Sequence, residues 1–227
     1  MSNDDAASDG GVLTARRGLA SSHAVRPSRS AAGAFGAAAV LLAAVGCGGA
    51  DAAGPDLSAA PSNVRWQPFQ GVPLPQTDQG PTSTAAGAAT GFEHSPRGAA
   101  VAALTHAVRL AVAADSQWAQ IAAGELVPGP AKDEWAVNRI QLSITGPAAP
   151  EYAPRLLGYK ITDYTEQRST VDVFTEYSDN SKAVNHTAVE WFARDWRLRL
   201  PDQGSPTRPI DPIDELPVDT VTLEAPK

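Results

Sequence analysis

"AVNHTAVEWFARDWRLRLP", residues 183–201, carries the clearest alternation in the chain. Trp196, Leu198 and Leu200 fall on one face and Arg197 and Arg199 on the other, the period of two that a half-buried strand imposes. Only Ala193, Arg194 and Asp195 interrupt the pattern, so the two halves are predicted to pair as a hairpin through a short turn. The same period runs upstream. Val171, Val173, Thr175 and Tyr177 share a face, as do Leu157, Tyr159 and Ile161, and as do Ile140, Leu142 and Ile144. Consecutive strands with short connections predict an antiparallel meander of four or five strands.

Before these strands the period changes. Ser95 followed by Pro96 is an N-cap and first-turn pair, and Val101, Leu104, Val108 and Val112 recur at three and four, which predicts a helix over 96–114. A shorter helix over 116–123 follows, with Trp118, Ile121 and Ala122 as its apolar side, and "GELVPGP" ends it. Two helices followed by a meander predict an α+β domain, its helices laid across one face of a curved, cone-like antiparallel sheet.

The flanks have a different composition. "VRWQPFQGVPLPQTDQGP", residues 64–81, sets Trp66, Phe69 and Leu74 among prolines and is expected to be an irregular strap over the core, continued as a loop to residue 95. "GGADAAGPDLSAAPSN", residues 48–63, has almost no bulky apolar residue and reads as a flexible tether. After Leu200 come six prolines, which predict an extended tail.

At the other end, "AAAVLLAAVGCGG", residues 37–49, places the single cysteine of the chain after an apolar run. Arg16, Arg17, Arg26 and Arg29 precede it, residues 31–45 carry no charge, and Gly46 stands just before Cys47. These are the three regions of a secretory signal peptide. The apolar run, about 22 Å long as a helix, falls short of a hydrocarbon core of roughly 30 Å. With Cys47 first after the cut, the segment resembles the lipobox of bacterial lipoproteins, and the resemblance implies a lipid on Cys47. The expected organisation is a signal peptide with lipobox over 1–46, a tether over 47–63, the strap and loop over 64–95, the α+β domain over 96–200 and an acidic, proline-rich tail over 201–227.

The 227 residues have a net charge of −7, which argues against a nucleic-acid surface. One Cys and four His show no metal-ligand spacing, and no metal or other cofactor is expected. No nucleophile elbow, zinc-protease or phosphate-loop motif occurs. Asp163 is the best candidate acid or base, because alternation puts it on the face of Leu157, Tyr159 and Ile161, although it also stands at a strand end open to water. His94 is expected to brace the loop that feeds the main helix, and His106 to pack on that helix. Trp191 and Trp196 are core residues or a stacking platform. The candidate pocket or interaction residues are therefore Tyr159, Asp163, Trp191 and Trp196.

The strap, the segment "TGFEHSPRGAAVAALTHAVRLAVA" and the hairpin "VEWFARDWRLRLP" together resemble a family of uncharacterised actinobacterial lipoproteins. The matching positions are Trp66, Gly91, Phe92, His94, Pro96, Gly98, Ala99, Trp191, Asp195, Trp196 and Pro201, while Arg194 stands where that family more often has Gly. The resemblance implies the cystatin-like cone of nuclear transport factor 2 and an association with conjugation or mobile-element loci. It thus implies a protein anchored to the bilayer through acylated Cys47 on the extracytoplasmic face of the cell membrane. There it would act as a non-catalytic interaction or assembly domain beside other envelope proteins, as in a conjugation or type IV secretion-like machine. The alternatives are a binder of a small ligand in the cone and, further off, an enzyme using Asp163.

Overall fold

A computed structural model describes residues 54–206 and 208–226; the expected signal peptide, Cys47 and the start of the tether lie outside the described residues. The domain is α+β. Three helices, α1 (Pro96–Val112), α2 (Trp118–Glu125) and α3 (Pro130–Arg139), precede the main sheet. That sheet is built from β3 (Arg155–Tyr164), β4 (Arg168–Glu176), β5 (Lys182–Phe192), β6 (Asp195–Arg199), β7 (Ile210–Ile213) and β8 (Val221–Thr222). A separate hairpin, β1 (Arg65–Phe69) and β2 (Val72–Gln76), comes first in the chain.

The main sheet runs β6-β5-β4-β3-β8, every neighbour antiparallel, with β7 paired to β5 beside β6. Its first four strands are the expected meander. β5 and β6 join through Ala193 and Arg194, both with positive φ (52° and 68°), and Phe192 pairs with Asp195. A two-residue turn with both centres left-handed matches the twist of the flanking strands, though it strains any residue but Gly, Asn or Asp. The turn forms with Ala and Arg because the strands on either side are held elsewhere.

Ser95 caps α1 by accepting the Gly98 N–H (3.1 Å), and Pro96 occupies the first turn. The helix is buried along most of its length; Ala99, Ala100, Val101, Ala102, Ala103 and Leu104 are all fully covered. Their small side chains let α1 approach β3, β4, β5 and β6, and one apolar cluster joins it to Tyr159, Val171, Val173, Val189, Trp196 and Leu198. A smaller cluster of Leu157, Phe174 and Val184 forms on the other side of the pleat.

Four features depart from the sequence reading. The strap is a regular β-hairpin, turned at Gln70 and Gly71, both with positive φ. Its prolines fit because the two-residue turn makes Phe69↔Val72 a hydrogen-bonded pair. Pro68↔Pro73 and Trp66↔Pro75 are then the pairs whose missing N–H groups would point away from the partner strand. Residues 130–139 form a helix, not a strand, and Ile140 and Leu142 are exposed, not facing a core. Register shifts at Leu156/Gly158 and Ile161/Asp163 break the alternation of β3: Leu156 and Tyr159 enter the main core, while Leu157 joins the smaller cluster. Finally, the proline-rich tail supplies β7 and β8, which bind β5 and β3.

Trp196 is fully buried, and its indole N–H donates to the Glu93 carbonyl at 2.9 Å. Trp196→Ala is expected to cost about 3–5 kcal/mol of unfolding free energy, read by chemical denaturation.

Candidate functional site

The sequence of α3 presents two unlike faces at helical spacing. Pro130 starts the helix after Gly129, Asp133 lies in its first turn and Arg139 in its last, each where the helix dipole favours it. Trp135 and Arg139, four apart, turn inward; Val137 and Ile140, three apart, turn outward. Trp135 meets Trp118 of α2 edge-on, ring centres 6.0 Å apart.

Arg139 is the only buried residue of this helix. One of its Nη2 hydrogens goes to the Ala113 carbonyl at the end of α1 (2.8 Å) and another to Asp115 Oδ1 (3.1 Å), while Nη1 donates to the Leu142 carbonyl (3.0 Å). Asp115 in turn accepts the Ile144 N–H and the Ser143 hydroxyl, each at 3.0 Å. The Ile144 amide above all, helped by Ser143 and Arg139, holds the Asp115 carboxyl below the ordinary carboxylate range against the opposing effect of desolvation. The segment from Arg139 to Ile144 is thus clamped to the end of α1. A charge that belongs in water is inside, and apolar groups are outside: Arg139 is 4% exposed, whereas Val137, Ile140 and Leu142 are 60%, 65% and 61% exposed. Three large apolar side chains within six residues, held out by a fixed backbone, are the chemistry of a contact surface. Asp133, Glu134, Asn138 and Gln141, all exposed, give it a polar rim of two acids and two amides.

A second constellation is closed to solvent. Glu125, at the end of α2, accepts the Ala89 N–H and the Arg109 Nε–H on Oε1 (both 2.7 Å), and His106 Nδ1–H on Oε2 (2.8 Å). His106 Nε2 faces the Trp196 carbonyl at 3.0 Å. Both ring nitrogens face acceptors, so the ring bridges the Glu125 carboxylate and the Trp196 carbonyl. Arg109 also donates to the Gly87 carbonyl and stacks its guanidinium on Phe69, 4.2 Å from the ring centre. Burial pushes the Glu125 carboxyl up, but the His106 hydrogen bond, the charges of His106 and Arg109 and the Ala89 amide outweigh it and leave it below its ordinary value. No side chain of the three is more than 6% exposed, so the group binds the fold together and has no access to a substrate.

The candidate residues from the sequence do not meet in one pocket. Tyr159 and Trp196 are fully buried in the core; the Tyr159 hydroxyl donates to the Ala59 carbonyl (3.3 Å), and burial raises its pKa, slightly opposed by Arg97. Asp163 follows the bulge and is exposed. Trp191 is half-buried, with His94 stacked on it at 3.9 Å between ring centres and 11° between planes. His94 Nε2–H donates to the Glu166 carbonyl (2.6 Å), so it braces the loop before α1. Cys47 lies outside the described residues. Sequence reading missed the face on α3, although Gly129-Pro130, Asp133 and Arg139 are ordinary helix-start and helix-end signals. Among the described residues no helix is long and apolar enough to cross a membrane, and no group of His, Cys, Asp and Glu is placed to hold a metal.

An α+β domain with a closed ionic interior and an exposed apolar helix face is the class these observations define. The family described as Domain of unknown function (DUF8175) matches residues 27–217, and the chain belongs to that family. No curated protein and no solved structure matches it.

Glu125→Gln leaves the buried Arg109 without its counter-charge and is expected to cost about 3–5 kcal/mol. Because the folded-state pKa of Glu125 is depressed, its contribution is complete above the ordinary value of 4.5 and is lost as pH falls through the lower folded value. Unfolding free energy followed against pH should therefore fall on the acid side in the native chain, with that limb flattened in the Gln variant.

Proposed function

We propose that the chain is a non-catalytic interaction domain, held at the extracytoplasmic face of a cell membrane by lipid on Cys47, which docks an envelope protein on the face formed by Val137, Ile140 and Leu142. The clamp of Arg139 and Asp115 carries this reading, since it fixes those apolar groups outward where hydrophobic burial alone would turn them in. The rim favours a protein over the bilayer: Asp133 and Glu134 would meet repulsion from anionic headgroups. Residues 57–63 pack on the domain, with Leu57 against the core and the Ala59 carbonyl and Ser62 amide bonded to Tyr159 and Gln79, so the expected tether is shortened to the residues between Cys47 and that packed stretch. It would keep the domain near the membrane and raise its effective concentration beside a partner in the same bilayer.

With α1 against β3 to β6, the arrangement fits a cone-like curved sheet under helices, and the motif resemblance to conjugation-associated lipoproteins points to an assembly role in a conjugation or type IV secretion-like machine. Sealing of the Glu125, His106 and Arg109 group from solvent supports a role by contact, not by catalysis.

The test is cross-linking and co-purification from detergent-solubilised membranes with Val137→Ser, Ile140→Ser and Leu142→Ser combined. These side chains are exposed, so the melting temperature should hold while a partner captured by the native chain is lost. Capture of the same partners by the variant, or loss of vesicle binding with partners retained, would overturn the docking reading. Separately, Cys47→Ser should move the protein from the membrane fraction to the soluble or unprocessed one; a variant that stays membrane-bound at the mature size would remove the lipid anchor from the proposal.

A further inference from the structure

The face of the sheet that carries the smaller apolar cluster has a second, polar part. Both β6 and β7 pair with the same edge of β5, β6 at Ala188–Phe192 and β7 at Lys182–Asn185. Only His186 and Thr187 separate the two contacts, three residue steps from Asn185 to Ala188 or roughly 10 Å. The connection from β6 to β7 is far longer than that gap, and its end is fastened where the His186 N–H donates to the Pro209 carbonyl (2.9 Å). Residues 200–205 and 208–209 of that connection border, with the strands, an open groove of about 590 Å³, within the range of small-ligand sites.

The floor is set by register. Arg168, Thr170 and Asp172 of β4 stand opposite Glu190, Ala188 and His186 of β5, and Arg199 of β6 stands opposite Ala188. Ala188, the small residue in the middle of this row, leaves the space. Three arginines, Arg168, Arg199 and Arg208, line the cavity with Asp172, Asp202 and His186. The carboxylates are already engaged: Asp172 accepts from His186 Nδ1 (2.7 Å), and Asp202 faces Arg199 at 3.6 Å. Arg208 reaches only a long contact to Asp211, 3.7 Å, with its side chain 81% exposed. Arg168 has no side-chain partner among the described residues. A concavity with more guanidinium donors than acceptors, on a chain of net charge −7, is matched to an anion that accepts two parallel hydrogen bonds.

We propose that this groove is a binding site for a small ligand bearing a carboxylate or phosphate group, with Arg168 and Arg208 as its clamp. Arg199, tied to Glu190 at 3.0 Å, sets the far wall. The site lies on different residues from the α3 surface and does not rest on the docking proposal.

The test uses the full chain in non-ionic detergent, titrated calorimetrically with inorganic phosphate and with citrate at matched ionic strength. Saturable one-to-one binding is expected for one of the two, which identifies the ligand class. Arg168→Gln should weaken it about tenfold or more, and Arg168→Lys should recover only part of the loss, because a point charge does not replace the fork. Arg194→Gln, in the β5–β6 turn, should bind as the native chain does. Saturation with neither probe, or an unchanged affinity in the Arg168→Gln and Arg208→Gln double variant, would overturn the proposal. Both side chains are exposed, so folding, checked by circular dichroism, should survive the changes. Loss of phosphate or citrate binding with partner capture intact would separate this site from the α3 face.

Discussion

A carboxylate with no contact to water is tolerable only when every one of its neighbours is in place. Glu125 meets that condition through the Ala89 amide, the Arg109 guanidinium and the His106 ring. Those partners are themselves tied outward: His106 to the backbone of β6 at Trp196, Arg109 to Gly87 and to Phe69 of the first hairpin. One side chain on α2 therefore indexes α1, the β6 strand, the loop before α1 and the hairpin against one another. Apolar packing between an alanine-rich helix and a sheet would tolerate sliding, since small side chains give shallow ridges and grooves. The ionic group removes that freedom, because any slip strands a buried charge. Its part is to select one register more than to add net stability.

Asp195 does a similar job at the other end of the core. Its carboxylate accepts the Gly91 and Phe92 amides (2.8 and 3.0 Å) and the Trp196 amide (2.9 Å), and so ties the β5–β6 turn to the loop that leads into α1. This gives physical content to the spaced residues in "GFEHSPRG" and "DWRLRLP". Gly91 has φ +80°, and a Cβ there would fall 1.9 Å from the Thr82 hydroxyl; a Cβ on Gly98 would fall 2.0 Å from the Glu93 carbonyl oxygen. The same Glu93 carbonyl takes the Trp196 indole proton. With Asp195 and Trp196 holding both flanks, the strained Ala193–Arg194 turn needs no glycine to form.

Where a segment has one face on one core, its period states its structure, and α1, β4, β5 and β6 were legible for that reason. The failures have equally definite causes. Ile140, Leu142 and Ile144 alternate like a strand, yet a buried Arg139 reverses the inside and outside of that segment, and no pattern of apolar residues reveals a buried arginine. Two bulges in β3 moved Leu157 to the smaller cluster and Asp163 to an exposed site past the strand's alternation, because one extra residue inverts every side chain after it. Prolines argued against strands in the first hairpin and the tail, but β1 and β2 have no third neighbour and β7 and β8 lie at edges, where a missing N–H costs little. The His106–Glu125 and Arg109–Glu125 pairs link residues 19 and 16 apart across two helices, a separation that carries no local signal.

The two surfaces proposed for recognition follow from how an acidic chain distributes its cations. Arg109 and Arg139 are drawn into the interior to satisfy carboxylates and carbonyls, and Arg155, Lys160 and Arg199 pair with Glu176, Asp219 and Glu190 on the sheet. Drawing Arg139 inward goes with Val137, Ile140 and Leu142 facing out, so the apolar face on α3 is the counterpart of a buried arginine. With 18 basic against 25 acidic side chains, an arginine in a concavity with no assigned carboxylate runs against the balance of the chain. At the Arg168 end of the groove, strand register leaves an exposed guanidinium with no side-chain partner among the described residues, and its planar fork of donors is the physical ground for expecting an anion there.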